Sequence, residues 1–158
     1  MKNPNFKIQI SKSKFQNLGF TLIELLVVVS IIGILASLAL ASYSGAQKQA
    51  RDAQRKSDLS QYRNALESYA AANNGNYPPL AYPNPIDNIC GEGKPLDSHF
   101  ITSCPDDPLL NQDYFYASSN DQKRYILYAD LETGGYWYIC STGKTGIKDG
   151  NPTITDCL

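Results

Sequence analysis

The chain has 158 residues, of which 42% are hydrophobic and 18% charged, a balance typical of folded proteins and not of disordered ones. Its formal net charge is −1, which provides no overall basic surface for nucleic acid. His99 is the only histidine, and the cysteines and histidine do not cluster at metal-ligand spacing. We therefore expect neither a zinc site nor a histidine-based catalytic centre, and we predict that the protein is not an enzyme.

Charge is distributed asymmetrically along the chain. Residues 1–19 carry four lysines and no acid, whereas residues 20–158 carry ten basic and fifteen acidic side chains. Between the basic leader and the polar remainder lies the apolar run Phe20–Ala41, in which Glu24 is the only ionisable side chain. As an α-helix this run is about 33 Å long, enough to cross a membrane, and the flanking lysines would keep the N-terminus in the cytoplasm.

Three interpretations of the apolar run compete. It is an uncleaved membrane anchor, or a secretory signal cleaved after Ala39-Leu40-Ala41, or a segment in which Glu24 has a function. A carboxylate inside a membrane helix is unfavourable by roughly 2.5–3.5 kcal/mol at the helix centre, so such an acid is a functional candidate. The nearest cation available to Glu24 is an α-amino group made by cleavage just upstream, on the same chain or on a neighbour.

The residues Leu18–Val28, which read LGFTLIELLVV, closely resemble the class III signal of type IV pilins and type II secretion pseudopilins. The resemblance implies that a prepilin peptidase cleaves between Gly19 and Phe20, removes the leader 1–19 and N-methylates Phe20. It also implies that Glu24 pairs with the new amine of Phe20 in a neighbouring subunit. Such a pair sets the register of assembly, because a subunit at the wrong height leaves both charges unpaired.

Helical periodicity continues beyond the membrane segment to about Asn73, where Asn73–Pro79 is a stop signal. Small or apolar residues form a stripe that we expect to be covered: Ala46, Ala50, Ala53, Ser57, Leu59, Tyr62, Leu66 and Tyr69. Charged residues on the other faces are expected to be solvated or to pair between subunits: Lys48, Arg51, Asp52, Arg55, Lys56, Asp58, Arg63 and Glu67. Many family members kink this helix with a proline, but the stretch from Phe20 to Asn76 contains none.

The second half of the chain predicts a small antiparallel sheet. The segment 74–112 is rich in Pro, Asn and Asp and is expected to be a loop region. Three aromatic or β-branched runs follow, Tyr114–Tyr116, Tyr125–Ala129 and Tyr136–Cys140, separated by turn residues. We predict an α+β, type IV pilin-like fold: the leader 1–19, a membrane-spanning or filament-core helix 20–41, its amphipathic continuation 42–73, the loop region, and a sheet of three to four strands with a C-terminal loop in 113–158.

Four cysteines all lie beyond the membrane segment, where disulfides persist. They allow three pairings, and we expect Cys90–Cys104 and Cys140–Cys157 because each closes a short local loop. The second pair also resembles the C-terminal disulfide loop of type IV pilins. The other pairings, such as Cys90–Cys140 or Cys104–Cys157, would staple the loop region to the sheet.

Calcium is the one cofactor that the resemblance brings into consideration, because related pseudopilins bind it in their C-terminal loops. The candidate ligands are Asp106, Asp113 and Asp149. Their spacing matches no known calcium loop, which favours solvated turn aspartates instead.

Together these features predict the precursor of a type IV pilus-like filament subunit. Its expected partners are identical subunits, the prepilin peptidase and the inner-membrane assembly machinery; a nucleic-acid partner is neither indicated nor excluded. It is expected first in the inner membrane as a single-pass precursor, then in an extracellular pilus or a periplasmic pseudopilus. The alternatives are a type II secretion major pseudopilin and, from another class, a monomeric membrane-anchored binding module.

Overall fold

A computed structural model describes residues 19–80 and 82–158, so most of the predicted basic leader lies outside the described residues. Helix α1 spans Leu22–Ala72, and five strands follow: β1 (Asn84–Pro85), β2 (Phe115–Ser118), β3 (Tyr125–Asp130), β4 (Tyr136–Cys140) and β5 (Thr145–Lys148). Two short 3₁₀ helices lie at Ile86–Asn88 and Ile154–Cys157. By its contacts the chain divides into two compact units, 1–41 and 42–158, which are described in turn.

The described part of the first unit is an apolar helical segment whose large apolar side chains are covered by no other described residue. Every large apolar side chain from Leu22 to Leu40 is between 47% and 88% exposed. By length and composition, α1 qualifies as a membrane-spanning helix. The hydroxyls of Ser30 and Ser37 donate to the carbonyls of Leu26 and Ile34, each at 2.8 Å. The segment therefore satisfies these polar groups internally, as an apolar environment requires.

The second unit is built on the antiparallel sheet, with the strands in the order β1-β2-β3-β4-β5. Alternation along β3 sends Tyr125, Leu127 and Ala129 into the main core, whereas Ile126 packs in a smaller cluster on the opposite face. Leu59 and Tyr62 of α1 are fully buried in the main core. The α+β, pilin-like prediction is therefore confirmed.

The sheet has five strands, not the predicted three to four. Strand β1 lies in the expected loop region and is only two residues long, too short to show alternation; it is an edge strand, where Pro85 is tolerated. Strand β5 lies in the turn-rich tail and contains Gly146, which lowers strand propensity. A Cβ at this position would lie 2.9 Å from the Tyr138 hydroxyl oxygen, so a larger residue would require that side chain to shift.

Helix α1 ends one residue before the predicted position. Asn74 and Gly75 have φ values of +56° and +72°, and the Gly75 N–H donates to the Ala70 carbonyl at 2.8 Å. The left-handed pair turns the chain away from the helix axis and satisfies one of the last carbonyls of the helix. Lys123 donates to the carbonyls of Asn74 and Gly75, both at 3.3 Å. The stop signal in the sequence thus corresponds to a capped helix end.

The two disulfides in the structure join Cys90 to Cys104 and Cys140 to Cys157. The first closes part of the long loop before β2. The second ties the C-terminal 3₁₀ helix to β4 on the outer face of the sheet, over Ala117 and Ile126. Each bond thus anchors a segment that has little regular secondary structure of its own.

The charged residues of α1 are not all solvated, and this part of the sequence analysis is wrong. Arg55 is fully buried, and Asp52 and Asp58 are 4% and 6% exposed, whereas Ala53 and Ser57 of the expected apolar stripe are exposed. N-terminal to Tyr62 and Leu59, the covered face of the helix is formed by charged side chains rather than by small ones. Sequence polarity misassigned the face because, apart from the Asp52–Arg55 pair, the partners of these ions are distant in the chain: Asp107, Tyr114 and Glu132.

Arg55 is the centre of an ion cluster that connects α1 to two loops. Its Nε and Nη2 donate to both oxygens of Asp107, at 2.6 and 2.9 Å, and its Nη1 donates to Asp52 at 2.7 Å and to Glu132 at 3.2 Å. Asp52 also accepts from the backbone N–H groups of Glu132 and Thr133, at 2.9 and 3.0 Å. The carboxylates hold the pKa of Arg55 above its usual range. The cluster therefore fixes the β3–β4 turn and the Asp107 loop against one turn of the helix.

We expect Arg55→Met to destabilise the second unit by about 3–5 kcal/mol, because it leaves Asp107 and Asp52 buried without their cation. The measurement is urea unfolding of the full chain in detergent, followed by tyrosine and tryptophan fluorescence. Arg63→Met is the matched control, since Arg63 is exposed on the same helix. Equal stability of the two variants would contradict the structural role of the cluster.

Because of Asp58, we expect the stability of the second unit to have a pH dependence opposite in sign to that from a salt-bridged acid. Burial raises its pKa above the ordinary 3.8; the Tyr114 hydroxyl, which donates to it at 2.8 Å, opposes the rise, and the charge of Asp107 adds to it. Charged Asp58 thus disfavours the folded state, and this penalty disappears as pH falls below its folded pKa. Asp58→Asn should be more stable relative to wild type at about pH 7 than at about pH 3. Urea titrations at both values test this, with exposed Asp106→Asn as the control.

Candidate assembly and processing site

The predicted cleavage junction lies in non-helical chain immediately before α1. Gly19, Phe20 and Thr21 precede the first helical residue, and Phe20 is 79% exposed. A Cβ on Gly19 would meet no atom within 4 Å, and the residue does not have a left-handed φ. Neither packing nor backbone geometry in the described chain therefore requires glycine at this position.

Thr21 and Glu24 form a capping box at the start of α1. The Glu24 N–H donates to the Thr21 hydroxyl at 3.3 Å, while the Thr21 N–H and hydroxyl both donate to Glu24 Oε2, at 2.9 and 2.6 Å. Two backbone donors that have no partner within the helix are thereby satisfied. The negative charge also lies at the positive end of the helix dipole.

Glu24 thus has a local role that the sequence analysis missed. The signal was present, because Thr-x-x-Glu before an apolar run is the pattern of a capping box. Both hydrogen bonds from Thr21 go to Oε2, and Oε1 accepts no hydrogen bond from the described residues. Capping therefore leaves one carboxylate oxygen of Glu24 free for a second partner.

Only two of the three calcium candidates lie at a common pocket. Asp106 and Asp113 line a small pocket of about 130 Å³ with Asp87, whereas Asp149 follows β5. Across residues 19–80 and 82–158, His, Cys, Asp and Glu form no group of three that could hold a metal ion. The His99 side chain is 81% exposed, with Nδ1 3.1 Å from Asp97 Oδ1, in the loop closed by the first disulfide.

Comparison with known proteins places the chain in a family. Residues 14–40 match the family described as the prokaryotic N-terminal methylation motif. Type II secretion system core protein G of Vibrio cholerae serotype O1 is 33% identical over 143 residues, which span 83% of this chain and 93% of that protein. The chain belongs to the type IV pilin and type II secretion pseudopilin family. The prediction from the LGFTLIELLVV motif is thus confirmed.

Two other relatives match this chain over different shares of its length. Type II secretion system core protein G of Aeromonas hydrophila is 34% identical over 59% of this chain and 68% of its own length. Type IV major pilin protein PilA of Myxococcus xanthus is 37% identical over 62 residues, 39% of this chain and 28% of its own. No solved structure matches the chain. Likeness to this pilin is therefore limited to a short segment, whereas likeness to core protein G of Vibrio cholerae reaches most of the chain.

We expect Gly19→Val to block processing, because glycine at this position is part of the cleavage motif. The fold itself does not require glycine there. The measurement is N-terminal mass spectrometry of the protein from cells that contain its processing machinery. Wild type should begin at methylated Phe20, and the variant should keep its leader. Gly45→Val is the matched control, since a Cβ at Gly45 also meets no atom within 4 Å. A wild-type N-terminus at Ser42 would instead indicate ordinary signal cleavage.

Proposed function

We propose that this chain is the precursor of a filament subunit whose task is assembly and not catalysis. The observation that carries the proposal is the first half of α1, whose large apolar side chains are all exposed from Leu22 to Leu40. Such a surface needs lipid or copies of itself, because apolar area left in water is strongly unfavourable. A monomeric membrane-anchored module would need only the lipid, and it would not explain the methylation motif at 14–40.

The proposed route starts in the inner membrane. The basic leader stays cytoplasmic, the prepilin peptidase cleaves after Gly19 and methylates Phe20, and the mature chain leaves the lipid for a helical filament of identical subunits. The assembly machinery of the inner membrane drives that transfer. The folded second unit, with its two disulfides, remains on the oxidising side of the membrane throughout.

The filament is proposed to be a pilus-like fibre, with a secretion pseudopilus as the second candidate. The Cys140–Cys157 loop, which resembles the C-terminal loop of type IV pilins, supports the fibre. The likeness to core protein G over 83% of the chain supports the pseudopilus. Electron microscopy of the native cell with an antibody against this chain separates them, because the fibre is extracellular and the pseudopilus is periplasmic.

Glu24 is proposed to set the register of the filament through the Phe20 amine of a neighbouring subunit. The amine is a cation that exists only after cleavage, and Glu24 Oε1 is available to it while Oε2 caps the helix. A charge pair in an apolar bundle is specific, since removing one partner leaves the other buried and unpaired.

Two substitutions separate capping from register. Glu24→Gln retains a capping-box residue but removes the charge, and we expect filament yield to fall roughly tenfold while processing and folding persist. Thr21→Ala removes the capping hydroxyl but keeps the charge; we expect a helix start weakened by about 1 kcal/mol and near-normal filament yield. Yields are compared by shearing and quantitative immunoblot. If Glu24→Gln gave a normal filament yield and Thr21→Ala a reduced one, Glu24 would act only as a helix cap and not in register.

A further inference from the structure

The outer face of the sheet is covered over only part of its area. The C-terminal 3₁₀ helix, bonded through Cys157 to Cys140, packs over Ala117 and Ile126. Beside this covered part, β2, β3 and β4 present a row of three aromatic rings on the same face: Phe115, Tyr128 and Tyr136.

The three rings pack against one another in a fixed arrangement. The rings of Phe115 and Tyr128 are stacked, with centroids 5.2 Å apart and planes 14° apart. Tyr136 meets Tyr128 edge to face, at 5.9 Å and 82°. Tyr128 is 2% exposed in the middle of the row, while Phe115 and Tyr136 on its two sides are partly exposed. The row is therefore a rigid apolar floor whose outer rings remain accessible.

A cleft of about 510 Å³ lies over this floor. Besides the rings it is lined by Pro83 and by five planar amide or carboxylate side chains: Asn111, Gln112, Asp113, Asp130 and Asn151. Apart from Pro83 the lining contains no aliphatic side chain, and it contains no basic one. The side chains of Asn111, Asp113, Asp130 and Asn151 make no hydrogen bond within the described residues. The rim thus carries hydrogen-bonding groups that the fold itself does not use.

We propose that this cleft binds an uncharged saccharide. A sugar ring has an apolar C–H face that fits an aromatic floor, and a rim of hydroxyls that both donate and accept. Asn111 and Asn151 can do both in return, and the carboxylates of Asp113 and Asp130 accept hydroxyl protons. The cleft volume is in the range of small-molecule sites.

Other ligand classes fit the lining less well. A lipid chain or an apolar peptide would need aliphatic contacts, of which the lining offers only Pro83. A phosphate or an acidic sugar would meet Asp113 and Asp130 without a cation, since the Lys148 ammonium donates to both oxygens of Asp156, at 2.7 and 2.8 Å. An organic cation would suit the carboxylates and rings but would leave the three amides unused. The saccharide is the class that uses both the amides and the carboxylates of the rim.

The test is saturation-transfer NMR on the full chain in polyoxyethylene detergent micelles, which carry no sugar headgroup. The probes are maltose, lactose and cellobiose, with N-acetylneuraminic acid and tetramethylammonium chloride as the charged competitors. We expect saturation on the ring C–H protons of at least one neutral disaccharide and none on the acidic sugar.

The variants locate the binding. Asn111→Ala with Asn151→Ala should weaken the apparent affinity about tenfold, because two amides that contact hydroxyls are lost. Tyr136→Leu should remove the ring C–H saturation. Controls are Asn120→Ala and Tyr43→Leu, an exposed amide and an exposed ring outside the lining.

Circular dichroism confirms that each variant is folded. The proposal is overturned if no neutral disaccharide binds at tens of millimolar, if tetramethylammonium alone binds, or if folded cleft variants bind as wild type does.

Discussion

The exposed apolar half of α1 is the constraint on which the rest of the molecule depends. Its side chains are covered by no other part of the described chain, and its serine hydroxyls are already bonded to the helix backbone. The segment is therefore suited to lipid and to copies of itself, two environments that both exclude water. A chain with such a segment must keep its other unit folded without help from that half of the helix. The two disulfides and the Arg55 cluster, all within residues 42–158, meet this requirement.

Glu24 shows how one side chain can serve two environments. In the single chain, the carboxylate would be an isolated charge within an apolar run, and the capping box with Thr21 supplies it with hydrogen bonds at once. Under the proposed cleavage after Gly19, a cation would form upstream, and Oε1 is available to it. The cap lowers the cost of holding the charge in the single chain, and in the proposed filament the second partner would make that charge a determinant of register.

Sequence reasoning found the elements whose signals are local. The apolar run, the Asn-Gly stop and the three long strands have periodicity or turn residues that identify them, and the structure confirms the fold. It failed where the deciding partner is distant: Arg55 was assigned to solvent because Asp107 and Glu132 lie more than 50 residues away along the chain. Strand β1 was missed because two residues carry no periodicity. The cap at Thr21, by contrast, has a local signal, because Thr-x-x-Glu before an apolar run is the pattern of a capping box.

The ion cluster also explains how a uniformly helical segment acquires a defined position against the sheet. An apolar stripe tolerates sliding by one turn, because leucines and tyrosines replace one another at similar spacing. Arg55 does not: displaced by one turn, it would leave its own charge and those of Asp107 and Asp52 buried without partners. Asp52 adds a directional element, since it accepts from both backbone N–H groups of the β3–β4 turn. Burying ions at this turn of the helix therefore gives the second unit one arrangement, which purely hydrophobic packing at the same place would not enforce.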